Sequence, residues 1–182
     1  NKGGVKMSSY IIEGGKKLEG EVDVSGSKNA ALPIIAACIL NGTTTTLYNV
    51  PDIQDIKITL QIIQLLGGKV IRKKGKMIID SQNIKSKEIP DELMRKMRSS
   101  VILAGAILGR FKEAVFSYPG GCDIGRRPID LHLKGFEMLG TKINKEGGYI
   151  RCSCDRLIGN DIHLDFPSVG ATENIILASV LA

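Results

Sequence analysis

The chemistry of this chain concentrates in residues 118–130: Tyr118-Pro119-Gly120-Gly121-Cys122-Asp123-Ile124-Gly125-Arg126-Arg127-Pro128-Ile129-Asp130. One thiol, two adjacent guanidinium groups and two carboxylates share the stretch. Arginines beside a thiol favour its thiolate form, which makes Cys122 a candidate reactive cysteine. Paired guanidinium groups grip phosphate or carboxylate with a planar fork of donors. Three glycines and two prolines shape the turn, because glycine permits positive φ and proline fixes φ. Together these features describe an anionic substrate held beside a thiol. The plain alternative is a tight surface loop with solvated charges.

The loop follows a strand-like run, residues 113–117, and precedes a helix-like run, residues 131–139. Earlier in the chain, 10–12 and the alternating stretch 18–25 read as strands. Ser25-Gly26-Ser27-Lys28-Asn29 then leads into an apolar helix, residues 30–40, with Pro33 in its first turn. A β-branched strand over 43–50, a helix over 53–66 and a hairpin over 69–71 and 77–80 follow. A second small-residue helix is expected over 97–108. Its segment Ala104-Gly105-Ala106-Ile107-Leu108 matches Ala36-Ala37-Cys38-Ile39-Leu40 at an offset of 68 residues, as Pro119 matches Pro51. Beyond the loop, Leu139-Gly140-Thr141-Lys142-Ile143 matches Leu66-Gly67-Gly68-Lys69-Val70 at an offset of 73. The second copy therefore carries five extra residues, and they fall in the Cys122 loop. A third copy opens at Ser168-Val169-Gly170-Ala171-Thr172, with a helix over 175–182. The pattern is α/β with mixed sheets. Helices rich in Ala and Gly and poor in charge belong together inside, under an outer layer of sheets. A repeat that stops midway reads as the N-terminal part of something longer.

The chain has 182 residues, is 43% apolar, has 4% aromatic residues and no Trp, and carries a formal net charge of +6. So few aromatics argue against a stacking platform for single-stranded nucleic acid. The basic run Arg72-Lys73-Lys74-Gly75-Lys76 reads as a solvated hairpin turn. The longest apolar run is too short to span a bilayer and contains a proline. Cys38 reads as a core residue. Cys152 and Cys154 share a strand face in a spacing unsuited to a local disulfide or to zinc. That cysteine usage fits a reducing cytoplasm.

Several separated stretches, in order, carry a resemblance. They are Leu18-Glu19-Gly20 with Ser25-Gly26-Ser27-Lys28-Asn29-Ala30-Ala31-Leu32-Pro33, then Lys96-Met97-Arg98-Ser99-Ser100, and Pro119-Gly120-Gly121-Cys122-Asp123-Ile124-Gly125. Arg127-Pro128-Ile129-Asp130-Leu131-His132 and Pro167-Ser168-Val169-Gly170-Ala171-Thr172 complete the set. From about residue 10 to 182 the chain resembles the enolpyruvyl transferases, and within them the branch that uses UDP-N-acetylglucosamine. The resemblance implies an inverted α/β barrel built of βαβαββ repeats, in two similar domains with the active site between them. It makes residues 1–9 a leader or cloning remnant, 10–24 strands of the hinge or second domain, and 25–182 an incomplete first catalytic domain that stops within its third repeat. The implied reaction moves an enolpyruvyl group from phosphoenolpyruvate to the 3-hydroxyl of UDP-N-acetylglucosamine and releases phosphate. This is the first committed step of peptidoglycan synthesis, in the bacterial cytoplasm. It runs by addition and elimination through a tetrahedral ketal, with no metal or organic cofactor, no nucleic acid and no membrane.

By the same resemblance Cys122 is the general acid that protonates the methylene carbon, and the thiol alkylated by fosfomycin. Lys28, Asn29 and Arg127 would hold phosphoenolpyruvate. Arg98, Arg127, Pro128, Ile129, Asp130, Leu131, Ser168, Val169 and Gly170 would hold UDP-N-acetylglucosamine, the last three through backbone N–H groups at a helix start. Lys28 suits a helix start poorly unless an anion is bound, because the dipole repels cations. Arg126 reads as solvated, and His132 as a structural hydrogen-bonder more than a base. Phe166 stands where some members have Lys, and Ile102 near where some have an aromatic. The base for the sugar hydroxyl and further arginines would come from the C-terminal domain of the full-length protein, so the chain alone is expected to show no turnover. The rival readings are the shikimate-pathway enolpyruvyl transferase and a non-enzymatic nucleotide-sugar-binding protein on the same scaffold.

Overall fold

A computed structural model describes residues 9–120 and 128–182. The order is α1 (Lys28–Leu40), β1 (Thr44–Tyr48), α2 (Gln54–Leu65), β2 (Lys69–Lys73), β3 (Lys76–Asp80) and α3 (Asp91–Lys96). A 3-10 turn (Arg98–Val101) leads into α4 (Ile102–Phe111), followed by β4 (Glu113–Ser117), α5 (Asp130–Met138), β5 (Lys142–Glu146), β6 (Tyr149–Ser153) and α6 (Val169–Ser179). The expected repeat is present. β1-β3-β2 and β4-β6-β5 are two antiparallel sheets of identical topology, each following an inner helix and interrupted by an outer one. The only parallel pairing among the described residues is a bridge between Glu88 and Val115, where Ile89 N–H donates to the Val115 carbonyl at 2.8 Å. The two sheets are thus wholly antiparallel and not mixed as expected, the parallel contact being an isolated bridge.

The small-residue helices form the interior. Every residue of α4 from Ile102 to Gly109 is buried, and α4 packs on both α1 and α6. Glycine permits the approach. A Cβ on Gly105 would lie 2.2 Å from Asn174 Oδ1, and one on Gly109 would lie 2.8 Å from the Leu177 carbonyl. These contacts advance together along both helices, so α4 and α6 run parallel. Arg110, at the end of α4, donates to the Ile39 carbonyl at 2.9 Å at the end of α1, so α1 runs the same way. All three inner helices therefore start at one end of the molecule. Their peptide dipoles add a positive potential there.

Four further expectations need correction. Residues 10–12 and 18–25 form no strand. Tyr10, Ile11, Ile12, Leu18, Val22 and Val24 are exposed, and a strand pattern without a ladder partner stays merely extended. α1 starts at Lys28, two residues before Ala30, which puts Pro33 inside the helix rather than in its first turn. The helix expected over 97–108 is broken, because Met97 is extended (φ −144°, ψ 124°). Ser100 Oγ donates to the Met97 carbonyl at 2.5 Å and competes with the helix ladder there. The third inner helix covers Val169–Ser179, starting six residues before the expected Ile175.

Candidate functional site

The end of the molecule where the inner helices start holds most of the candidate ligand residues, and each arrives by a different local route. α6 begins in a conventional way. Ser168 takes an extended conformation and its Oγ accepts from the Ala171 N–H at 3.3 Å, while its carbonyl accepts from the Thr172 N–H at 3.0 Å. This cap leaves the N–H groups of Val169 and Gly170 as the first of the helix, at its positive end. Val169 itself is exposed.

α5 begins at Asp130 behind a buried Ile129, which pins the returning end of the loop into the core while Pro128 and Asp130 stay exposed. Leu131 is half-buried and His132 is buried. Burial, and secondly the positive charge of Arg98, lower the His132 pKa to about 4. Its Cε1–Nε2 edge faces α6, since a Cβ on Gly170 would lie 3.6 Å from Cε1. Arg98 is half-buried at the start of the 3-10 turn. The structure thus gathers Arg98, the first turn of α5 and the first turn of α6 into one group. Ile102, buried in the first turn of α4, supplies core packing there, and Phe166 is exposed.

Lys28 and Asn29 stand exposed at the start of α1. Ser27 makes no capping bond through its side chain. The Lys28 ammonium pairs instead with Asp55 at 2.9 Å, and Asp55 lies in the first turn of α2. This carboxylate accounts for a cation at a helix start without any bound anion, which favours the plainer reading of Lys28 in this state. An incoming phosphate or carboxylate would compete with Asp55. A cleft of about 230 Å³ lined by Gly26, Ser27, Ala30, Ile34 and Tyr48 opens beside this helix start.

Cys122 and Arg127, with Gly121, Asp123, Ile124, Gly125 and Arg126, lie outside the described residues. The loop's point of departure is within them. Gly120 N–H donates to the Met94 carbonyl at 3.2 Å, and a Cβ on Gly120 would fall 1.8 Å from the Arg95 carbonyl oxygen. Only glycine fits that approach. The other thiols contrast with the environment expected of Cys122. Burial raises the pKa of Cys38, and raises that of Cys152 to about 12, so both remain protonated. Cys154 is half-buried. Among the described residues no three His, Cys, Asp or Glu side chains group as metal ligands, and no helix is long and apolar enough to cross a membrane.

Asn174 and Asp55 had no place among the candidates. Asn174 carried a legible signal, an amide in an otherwise apolar helix, which in a buried position must find partners. Asp55 carried none, since an acidic residue in a first turn suits the helix dipole whatever else it does.

Comparison with known proteins bears on the family and the fold. The chain is 52% identical over 176 residues to UDP-N-acetylglucosamine 1-carboxyvinyltransferase 2 of Caldanaerobacter subterraneus subsp. tengcongensis, covering 97% of this chain and 42% of that protein. It is 50% identical, with the same coverage, to the protein of that name in Carboxydothermus hydrogenoformans. The chain thus spans about 42% of the length of these curated relatives. Among solved structures, the enolpyruvyl transferase NikO from Streptomyces tendae superimposes with a TM-score of 0.74 at 21% identity, over 91% of this chain and 39% of that one. EPSP synthase from Acinetobacter baumannii gives 0.66 at 20% identity, over 90% of this chain and 38% of that one. The α/β fold is therefore that of the enolpyruvyl transferases. The family model for EPSP synthase (3-phosphoshikimate 1-carboxyvinyltransferase) matches residues 12–182, and the chain belongs to that family.

Proposed function

We propose that this chain is the substrate-binding and acid-bearing portion of an enzyme that transfers enolpyruvyl from phosphoenolpyruvate to the 3-hydroxyl of UDP-N-acetylglucosamine. The observation that carries the reading is the common start of three parallel inner helices. Arg98, Lys28 and the first N–H groups of α6 stand there, beside the two ends of the Cys122 loop. Such an end receives anions. Both substrates are phosphorylated, and the transfer needs an anion site next to a proton donor. Lys28, Asn29 and Arg127 take phosphoenolpyruvate, with Lys28 leaving Asp55 to do so. Arg98, Arg127, Pro128, Ile129, Asp130, Leu131 and the Ser168-Val169-Gly170 turn take the nucleotide sugar. Cys122 delivers a proton to the methylene carbon as the sugar hydroxyl adds to the adjacent carbon. Phosphate leaves the resulting ketal as the new methyl group gives up a proton, which restores the carbon–carbon double bond. The enzyme works in the cytoplasm, at the first committed step of peptidoglycan synthesis. Residues 10–24 belong to the hinge or second domain, which accounts for their exposed apolar side chains, and 25–182 form the first catalytic domain.

Identity of 45–52% to curated relatives of the UDP-N-acetylglucosamine type, against about 20% to EPSP synthase structures, favours this substrate over a shikimate phosphate. Phosphate release, measured on a form extended to the full length of the relatives, is expected with phosphoenolpyruvate and UDP-N-acetylglucosamine and not with shikimate 3-phosphate. The opposite preference would overturn the assignment. The 182-residue chain is expected to release no phosphate, because half a site cannot position two reactants. Mass spectrometry after fosfomycin is expected to find the adduct on Cys122 and none on Cys38 or Cys152. An adduct on those buried thiols, with Cys122 unmodified, would remove Cys122 from the mechanism.

A further inference from the structure

Asn174 lies in the second turn of α6 and is completely buried. Its Oδ1 accepts from the Gly105 N–H at 2.7 Å, and its Nδ2 donates to the Val101 carbonyl at 3.0 Å. Val101 and Gly105 are the carbonyl and N–H that a regular α-helix would join to each other. The Asn174 amide bonds to both of them, where the chain passes from the 3-10 turn into α4. These two backbone groups decide which way the amide points. Turned over, it would set NH2 against N–H and carbonyl against carbonyl in a dry site. Nδ2 also lies 2.9 Å from His132 Nδ1. One Nδ2 hydrogen is taken by Val101, so the other is offered to His132. Nδ1 must then present a lone pair, and a neutral imidazole carries its proton on Nε2. That edge of the ring faces Gly170 at the start of α6. Burial and the neighbouring Arg98 charge keep the ring neutral.

We propose that Asn174 is a positioning residue that holds His132 as the neutral Nε2–H tautomer, aligned with the first N–H groups of α6 as an additional donor to an oxygen of the substrate diphosphate. The identity of the acceptor rests on the function proposed above; the tautomer does not. A neutral imidazole is the useful form here. It donates a directed hydrogen bond without placing a second positive charge against Arg98, and it leaves proton delivery to Cys122.

The chain contains two histidines, so His163 serves as an internal reference. Long-range 1H–15N correlation on the labelled chain at neutral pH is expected to show His132 protonated on Nε2 and bare on Nδ1. A coupling across the hydrogen bond from Asn174 Nδ2 to His132 Nδ1 is expected as well. An Nδ1–H tautomer or an imidazolium would overturn the proposal, as would absence of the coupling. Asn174→Asp offers only acceptors, so His132 should switch to Nδ1–H or become charged. A folded variant that kept Nε2–H would show that Asn174 does not set the tautomer. If that variant does not fold, the wild-type spectrum decides alone. In the full-length form, a folded Asn174→Asp should raise KM for UDP-N-acetylglucosamine about tenfold, the equivalent of one lost hydrogen bond. An unchanged KM would overturn the donor role. The tautomer is read without substrate, so its failure and the failure of the transferase reading are separate results.

Discussion

Residues 28–80 and 91–153 are two copies of one unit, and they differ where their inner helices begin. In the first copy α1 starts openly, with no side-chain cap, an exposed Lys28 and one ion pair to Asp55. In the second, the start is folded into a short helix, an extended Met97, a 3-10 turn and a buried amide from α6. The sheets have the same strand order and the hairpins the same register, with Lys69 paired to Asp80 as Lys142 is to Ser153. Close backbone approach is used in both, on opposite sides of the junction. Gly26 before α1 abuts the Asn49 carbonyl, whereas Gly120 after β4 abuts the Arg95 carbonyl. The scaffold repeats faithfully, and the residues proposed above for the site lie in the junctions, where the two copies diverge.

The comparison can be broken most severely at Gly105. Gly105→Ala would drive a Cβ to 2.2 Å from Asn174 Oδ1 and cost about 3 kcal/mol or more, from overpacking and the loss of buried amide partners. The aligned Ala37→Gly in the first copy should cost about 1 kcal/mol, the helix-propensity difference. Urea unfolding of both variants measures the contrast, and equal costs would mean that the two helix starts are equivalent after all.

The second test is pH. The folded chain protonates His132 only near pH 4, whereas an unfolded histidine titrates near 6.5. The unfolded state therefore binds the extra proton first. Stability is full above pH 6.5 and falls as pH drops towards 4, by up to about 3 kcal/mol. Thermal unfolding of wild type and His132→Gln across that window should show a steep and a flatter profile, and parallel profiles would contradict the buried, neutral ring.

Gly120→Ala should cost about 1–3 kcal/mol, because the Arg95 carbonyl must move. In the full-length form turnover should fall further, on the order of a hundredfold, since the loop carrying Cys122 is displaced at its root. Calorimetry and phosphate release together separate the two effects. The smallest change is Asp55→Asn, at about 0.5 kcal/mol for a partly exposed pair. Affinity for phosphoenolpyruvate should rise slightly in that variant, as a competitor for Lys28 is removed. A fall in affinity would mean that Asp55 helps to place Lys28.

The repeat, the inner position of the small-residue helices and the core role of Cys38 were legible in the amino-acid order. They depend on periodicity and the absence of charge, both properties of a single segment. The strands expected over 10–12 and 18–25 show the limit of that logic, because alternation describes a strand only once another strand lies beside it. The same limit applies at the site. The order of residues placed Lys28 and Arg98 where helices were expected to start, but only the packed chain decided that Lys28 meets Asp55 while Arg98 opens a 3-10 turn near His132. Asn174 is the fullest case. Its fold-defining bonds reach across 69 and 73 residues of chain to Gly105 and Val101, and a third reaches His132. No local pattern encodes such contacts. They arise when a parallel helix pair closes over two glycines and brings a buried amide against one backbone N–H and one carbonyl of its neighbour.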